Sequence, residues 1–311
     1  TDYSLGVPID LGASWIHGNS GHNPLMNLVK KYGLATQATD WSKTWLFDSA
    51  YEEIADDVYD LIYRKSEYII ELLYEKQINA SRSSSVSDAL EPILKKLSIS
   101  PIVERGVRWL LASQIEVEYA NNLEHLSLKY WDMDEAFSGD DVMIRGGFHE
   151  IIKNLILNLD IRYQSIVREI SFNDSMVKLS TNKGVVKCDH AIVTLPLGVL
   201  KQNRIRFDPE LPPRKSESIN RLGMGSMNKI ALSFSENFWP AEAHRIGILN
   251  TSTDNMIEYI PMTPYTSKPI LVGLTRGRHA RSIEKLDDND IEQQALSELK
   301  FIFGNNISNR I

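Results

Sequence analysis

Ala191-Ile192-Val193-Thr194-Leu195-Pro196-Leu197-Gly198-Val199-Leu200-Lys201 is the stretch on which the fold class turns. Its first four residues form a short apolar run ended by Pro196, which predicts a strand buried on both faces. The exit through Thr194, Pro196 and Gly198 is that of the carboxyl end of a parallel strand, where α/β folds bind ligands. An ordinary strand-to-loop exit reads the same way. Upstream, Ile166 to Phe172, Met176 to Ser180 and Val185 to Lys187 are predicted strands, with turns at Asn173-Asp174 and Asn182-Lys183-Gly184. Before them Gly146-Gly147 precedes a helix from Phe148 to Asn158. Downstream, Leu211-Pro212-Pro213 leads into a short helix to Leu222. Lys229 to Phe234 and Ile270 to Thr275 are predicted strands, and a helix from Asp290 to Phe303 stops at Gly304.

The first half has a different character. Gly6 to Leu11 is predicted to be a short strand running into a glycine turn. A helix then starts at Asn23-Pro24, where a first-turn proline is tolerated, and stops at Gly33. Residues 30–135 read as mainly helical. The longest helical pattern covers 52–78, with Ile54, Val58, Leu61 and Ile62 on one stripe and Ile69, Leu72 and Leu73 continuing it. Further helices are expected from Ser87 to Leu97 and from Pro101 to Tyr119, and no internal repeat is visible. The chain opens at Thr1 within a strand-like run and ends shortly after Asn305-Asn306, so both ends read as cut.

With 311 residues and 42% hydrophobic content, the chain has enough material for one or two buried cores. A net charge of −7 argues against a basic nucleic-acid face and is compatible with cationic ligands, although many enzymes share it. The single cysteine, Cys188, excludes an intrachain disulfide. It is expected to be a small buried hydrophobe and suits a reducing, intracellular setting. No apolar run approaches the ~18 residues of a membrane-spanning helix, and no metal site is expected.

Three segments carry candidate chemistry. Asp10-Leu11-Gly12-Ala13-Ser14-Trp15-Ile16-His17-Gly18 is a strand-to-loop turn whose small residues let backbone approach a planar ligand. The second is the strand exit at Thr194 and Pro196. The third is Gly223-Met224-Gly225-Ser226-Met227-Asn228-Lys229-Ile230, where a lysine opens an apolar strand. That position is costly for an ammonium unless it reaches solvent or has a task.

Taken together, the sequence resembles the flavin-containing amine oxidases, most closely the polyamine oxidases. The resemblance is collinear over nearly the whole chain. It runs through DLGASWIHG (10–18), NPL (23–25), LSLKYWDMDEAFSG (126–139), RGGF (145–148), AIVTLPLGVLK (191–201), IRFDPELPPRK (205–215), GMGSMNKIALSF (223–234) and IEKLDDNDIEQQALSELKFIFG (283–304). It implies a mixed α/β fold: an incomplete Rossmann-type FAD-binding domain in residues 1–25 and 140–205, and a substrate domain of mixed sheet and helices in 26–139 and 206–311.

The same resemblance implies FAD as cofactor, with Gly12, Ala13, Ser14 and Trp15 against the flavin ring. Gly146, Gly147, Val167, Thr194 and Pro196 are further cofactor positions, Val167 toward the adenine end. Lys229 matches the lysine that holds a water at flavin N5, and His17 matches a residue facing the substrate. The implied reaction oxidises spermine, spermidine or their acetylated forms with O₂ as acceptor. It needs no nucleic-acid or membrane partner, and a cytoplasmic or peroxisomal setting is expected. The family's GxGxxG fingerprint, which admits a diphosphate to a helix N-terminus, occurs nowhere in this sequence. Two other readings stay open: a histone-lysine demethylase, which usually carries a helical-hairpin insertion, and an inactive fragment or binding module that keeps the fold without the cofactor.

Overall fold

The structure is a computed structural model describing residues 1–49, 52–249 and 256–307. The fold is mixed α/β and divides into two compact units, Thr1–Leu155 with Gly225–Ile311, and Ile156–Met224.

In the first unit, three helices form one layer: Asp56–Ile78, Val86–Lys96 and Pro101–Leu111. Ile62, Ile69 and Leu73 recur at helical spacing and are fully buried. Ser85 starts the second helix with a capping box, its side chain accepting from Asp88 N while Asp88 accepts from Ser85 N. Pro101 opens the third, which was expected to run on to Tyr119. It instead widens after Leu111 into a π-helical turn, Ala112–Glu116. The widened turn directs Ser113, Gln114, Val117 and Glu118 to the wall of a cavity. It also places Glu116 where it pairs with Arg276 at 2.7 Å and accepts from Leu123 N.

A six-stranded sheet faces these helices. Its order is Met227–Ser233, Ile270–Arg276, Glu258–Pro261, Arg245–Ile248, Thr44–Ser49 and Glu52–Glu53. Every neighbouring pair is antiparallel except Thr44–Ser49 with Arg245–Ile248. Ile270–Arg276 is buried along its whole length, as a central strand covered on both faces must be. The helix Asp288–Phe303 packs Ala295, Leu299 and Ile302 against Phe234 and Tyr259.

A smaller antiparallel sheet joins Trp15–Ile16, Val142–Ile144 and Thr36–Ala38. The segment 30–135 is therefore not purely helical, since Thr36–Ala38 and Thr44–Ser49 find their partners far along the chain. The strand expected at Gly6 to Leu11 reduces to one bridge, Asp2 with Ile9, because Gly6 turns the backbone at φ +76. The helix after Gly146-Gly147 ends at Leu155 rather than Asn158. Residues 308–311, part of the terminal stretch that read as cut, lie outside the described residues.

The second unit is a four-stranded sheet in the order Gly184–Cys188, Val177–Thr181, Val167–Phe172 and Arg206–Asp208, with helices Leu197–Lys201 and Pro213–Arg221. The expected turns are present; Asn173 Oδ1 accepts from the backbone of Ser175 and Met176. Cys188 is only half-buried. The expected strand at 191–194 is not formed. These residues pair with no strand among the described residues, and Ile192 is 92% exposed. An apolar run becomes a buried strand only when partners flank both edges, and this unit supplies none to it.

Candidate active site

Lys229 lies on Met227–Ser233, the edge strand of the six-stranded sheet. An edge lysine ordinarily extends into water. Here the side chain is partly buried and reaches the 10–14 loop, where Nζ donates to Asp10 O at 3.1 Å, Gly12 O at 2.6 Å and Ser14 Oγ at 2.5 Å. Three acceptors match the three hydrogens of an ammonium. Burial lowers the Lys229 ammonium to about 8, against the opposing pull of the Asp10 carboxylate. Nζ also stands 5.5 Å from the Trp15 ring.

The indole is fixed in turn. Trp15 Nε1 donates to Thr39 Oγ1 at 2.8 Å, and Thr39 Oγ1 lies 2.7 Å from the Tyr265 hydroxyl. Trp41 follows, its ring centroid 5.7 Å from that of Trp15. Trp41 Nε1 donates to Asp141 Oδ2 at 2.9 Å, while Asp141 Oδ1 sits 3.1 Å from His17 Nδ1. The hydrogen bond to Asp141 raises the His17 pKa; burial opposes it, and the charges of Asp141 and Glu118 add smaller upward pulls. Burial alone would raise Asp141; its bonds from His17 and Trp41 outweigh that and hold it below the usual carboxylate range. A carboxylate on Nδ1 fixes the imidazole's orientation and leaves Nε2 as its second functional nitrogen.

These groups border one cavity of about 1150 Å³ within the first unit, walled by Gly12 to Trp15, His17, Trp41, Asp141 and Lys229. It is large for a small-molecule pocket. Glu53, Asp56, Asp60 and Glu118 add negative charge to its wall; Arg245 and Glu258 complete it.

The sequence-predicted residues separate into three groups. Gly12, Ala13, Ser14, Trp15, His17 and Lys229 come together in the cavity. Gly146 and Gly147 form a turn beside it: Gly147 has φ +81, and a side chain there would meet Thr1 and Asp10 at 2.7–3.0 Å. Asp10 Oδ2 accepts from Phe148 N at 2.9 Å, tying that turn to the 10–14 loop. Val167, Thr194 and Pro196 belong to the other unit, where Val167 pairs with Thr181 and Thr194 and Pro196 are exposed.

Asp141, Trp41, Arg245 and Glu258 were not singled out by sequence. Arg245 and Glu258 carried the same signal as Lys229, a lone charge within an apolar strand. Asp141 carried none, because its partner His17 is 124 residues away.

The donor set suits the ring of a flavin. The wall is backbone of small residues, with open space where a side chain on Gly12 would stand, beside an indole and a partly buried amine. Such a wall accepts a planar, hydrogen-bonding heterocycle. For the diphosphate of FAD the sequence offers no GxGxxG.

Comparison with known proteins agrees with this chemistry. A family model described as flavin containing amine oxidoreductase matches residues 1–311. Polyamine oxidase 3 of Oryza sativa subsp. japonica is 32% identical over 319 residues, covering 98% of this chain and 66% of its own length. Polyamine oxidase 2 of Arabidopsis thaliana is 30% identical, covering 97% and 64%. Lysine-specific histone demethylase 1 homolog 1 of Arabidopsis thaliana is 33% identical, covering 94% of this chain and 36% of its own length. The chain thus spans slightly less than two thirds of the polyamine oxidases it matches. A putrescine oxidase redesigned in its cofactor binding shares the fold, with TM-score 0.72 at 16% identity over 96% of this chain and 71% of that one.

Proposed function

We propose, since this chain belongs to the family of flavin containing amine oxidoreductases, that it forms the amine-facing part of a FAD-dependent polyamine oxidase. Spermine, spermidine or their acetylated forms would be its substrates. One observation carries the reading: Lys229 is held against the 10–14 loop inside a cavity whose remaining charges are mostly carboxylates. Bound FAD would supply the two-electron chemistry, accepting hydride from the carbon next to the amine and passing electrons to O₂.

The chain's own groups do the rest. Gly12 to Trp15 would hold the ring, with Lys229 tying that wall in position. An amine gives up hydride only when neutral, and His17 Nε2 is the group suited to take its proton, with Asp141 supporting the resulting imidazolium. Glu53, Asp56, Asp60 and Glu118 would attract the remaining ammonium groups of a polycation. In this reading residues 1–25 and 140–205 serve the cofactor, and 26–139 and 206–311 serve the substrate.

The demethylase relative supports a second reading, oxidation of a methylated lysine side chain. The polyamine reading is preferred because this sequence carries no long helical-hairpin insertion of the kind that demethylases usually have. The test is to supply the flavin-loaded protein separately with spermine and with a dimethyl-lysine peptide. Peroxide and a cleaved polyamine support the proposal. Formaldehyde from the peptide, with no reaction of spermine, selects the second reading.

A further inference from the structure

A second, smaller cavity of about 30 Å³ lies in the same unit. It shares Ser14, Trp15, Lys229 and Leu274 with the large cavity. Otherwise its walls are different side chains, among them Ile9, Met143, Ile260, Met262 and Val272, all five buried. The polar side chains that border it are already engaged. Lys229 gives its three hydrogens to the 10–14 loop, and Asp10 accepts from Thr1 and from Phe148 N. Arg145 Nη2 donates to Gln37 Oε1 at 2.7 Å, the Tyr265 hydroxyl lies 2.7 Å from Thr39 Oγ1, and Thr266 Oγ1 donates to Met262 O at 2.9 Å. A cavity holds water where two or more polar partners are free to bind it; an apolar one stays dry and takes up small apolar molecules. The volume is about twice the ~15 Å³ that one water-sized sphere needs, which is room for a diatomic molecule.

We propose that this small cavity is the binding site for O₂, set apart from the amine by the wall of Ser14, Trp15 and Lys229. The proposal rests on the amine-oxidase reading of the large cavity and adds a place for the second reactant. The chemistry of the two hollows sorts the two reactants. The large cavity carries Glu53, Asp56, Asp60 and Glu118 and suits a polycation with its water. O₂ is small, uncharged and apolar, and it concentrates in the dry hollow lined by Ile9, Met143, Ile260, Met262 and Val272. It can therefore sit beside the wall while the amine or its product still fills the large cavity. O₂ takes two electrons from the reduced ring, with one proton from the ring and one from solvent. It leaves as H₂O₂, and the ring returns to its oxidised form. The Lys229 ammonium, common to both cavities, favours the negative charge that O₂ gains with its electrons.

The experiment uses the paramagnetism of O₂. The methionine methyl groups are labelled with ¹³C, and their relaxation is compared under O₂ and under N₂ in the oxidised protein, with no amine present. Met143 and Met262 border the cavity. Met256 is buried in another cluster, and Met133 and Met224 are exposed and report O₂ in solvent. Relaxation of the Met143 and Met262 methyls should increase under O₂ several-fold more than that of Met256, and more than that of Met133 and Met224. Val272→Ile puts one more methylene into a space of about 30 Å³ and should abolish that excess. In the same variant the flavin, reduced by light with EDTA as donor, should be reoxidised by O₂ about tenfold more slowly, as for a reactant whose approach is misplaced. Its anaerobic reduction by amine should be unchanged. Relaxation of Met143 and Met262 no greater than that of Met256 overturns the site, and so does an unchanged reoxidation rate in a variant that has lost the excess. Should Val272→Ile fail to fold, the wild-type methyl comparison decides. Because light reduces the flavin without amine, failure of every amine to reduce it overturns the amine-oxidase reading separately.

Discussion

Replacing Lys229 by Met should change how the protein's stability depends on pH, and the change can be worked out from the structure. Burial brings the Lys229 ammonium from 10.5 down to about 8. In the unfolded chain it returns to its ordinary value. Below pH 8 both states hold the proton, so Lys229 contributes no slope. Between about 8 and 10.5 the unfolded state keeps a proton that the native state has lost, and stability therefore rises with pH across this window. At about 1.4 kcal/mol for each tenfold in acidity, the rise totals about 3 kcal/mol. The thioether of the Lys229→Met variant cannot titrate. Urea unfolding of wild type and variant from pH 7 to 11, taken as a difference, cancels the tyrosines and lysines common to both. The difference should move by about 3 kcal/mol in favour of wild type as pH rises. A flat difference would mean that Nζ is solvated and not held by the 10–14 loop. A difference moving the other way would mean that the three acceptors hold the proton above its ordinary range.

Other consequences follow from the same geometry. Asp141→Asn should lower the His17 titration midpoint seen by NMR. Because the folded pKa is raised, the stability from this pair is present below the ordinary histidine range and lost as pH rises through the folded value. With His17 more than half exposed, it amounts to less than about 1 kcal/mol. Gly247→Ala should lower the thermal midpoint, since a methyl there would lie 2.2 Å from Trp109 Cζ2 and 2.7 Å from Leu46 Cδ1; overpacking of this kind costs about 1–3 kcal/mol. Ser85→Ala removes one half of the capping box and should cost about 1 kcal/mol in urea unfolding. Ile192→Asp, at a 92% exposed position, should leave stability within about 0.5 kcal/mol. A larger loss would show that Ile192 is covered in solution.

Much of this was legible where the signal is local. Pro24, Gly33, Pro101 and Gly304 punctuate helices as their backbone chemistry requires, and the lone charge at Lys229 marked a side chain with somewhere to go. Pairing over long distances was not legible. Thr44–Ser49 becomes a strand because Arg245–Ile248 lies alongside it, about two hundred residues later. Asp141 matters because of His17. The 191–194 run was misread for the converse reason: its composition asks for a strand, but strand formation depends on neighbours that the described residues do not supply. Arg245 and Glu258 show a missed opportunity, because a charge inside an apolar strand was weighed at Lys229 and at neither of these.

The most direct test of the central claim is anaerobic mixing of the flavin-loaded protein with spermine, spermidine or N-acetylspermidine while the visible absorbance of the flavin is followed. The account predicts bleaching by at least one of these amines, much slower in Lys229→Met and His17→Ala, with colour and peroxide returning when O₂ is admitted. A protein that binds FAD and keeps its full absorbance with every one of these amines would contradict it.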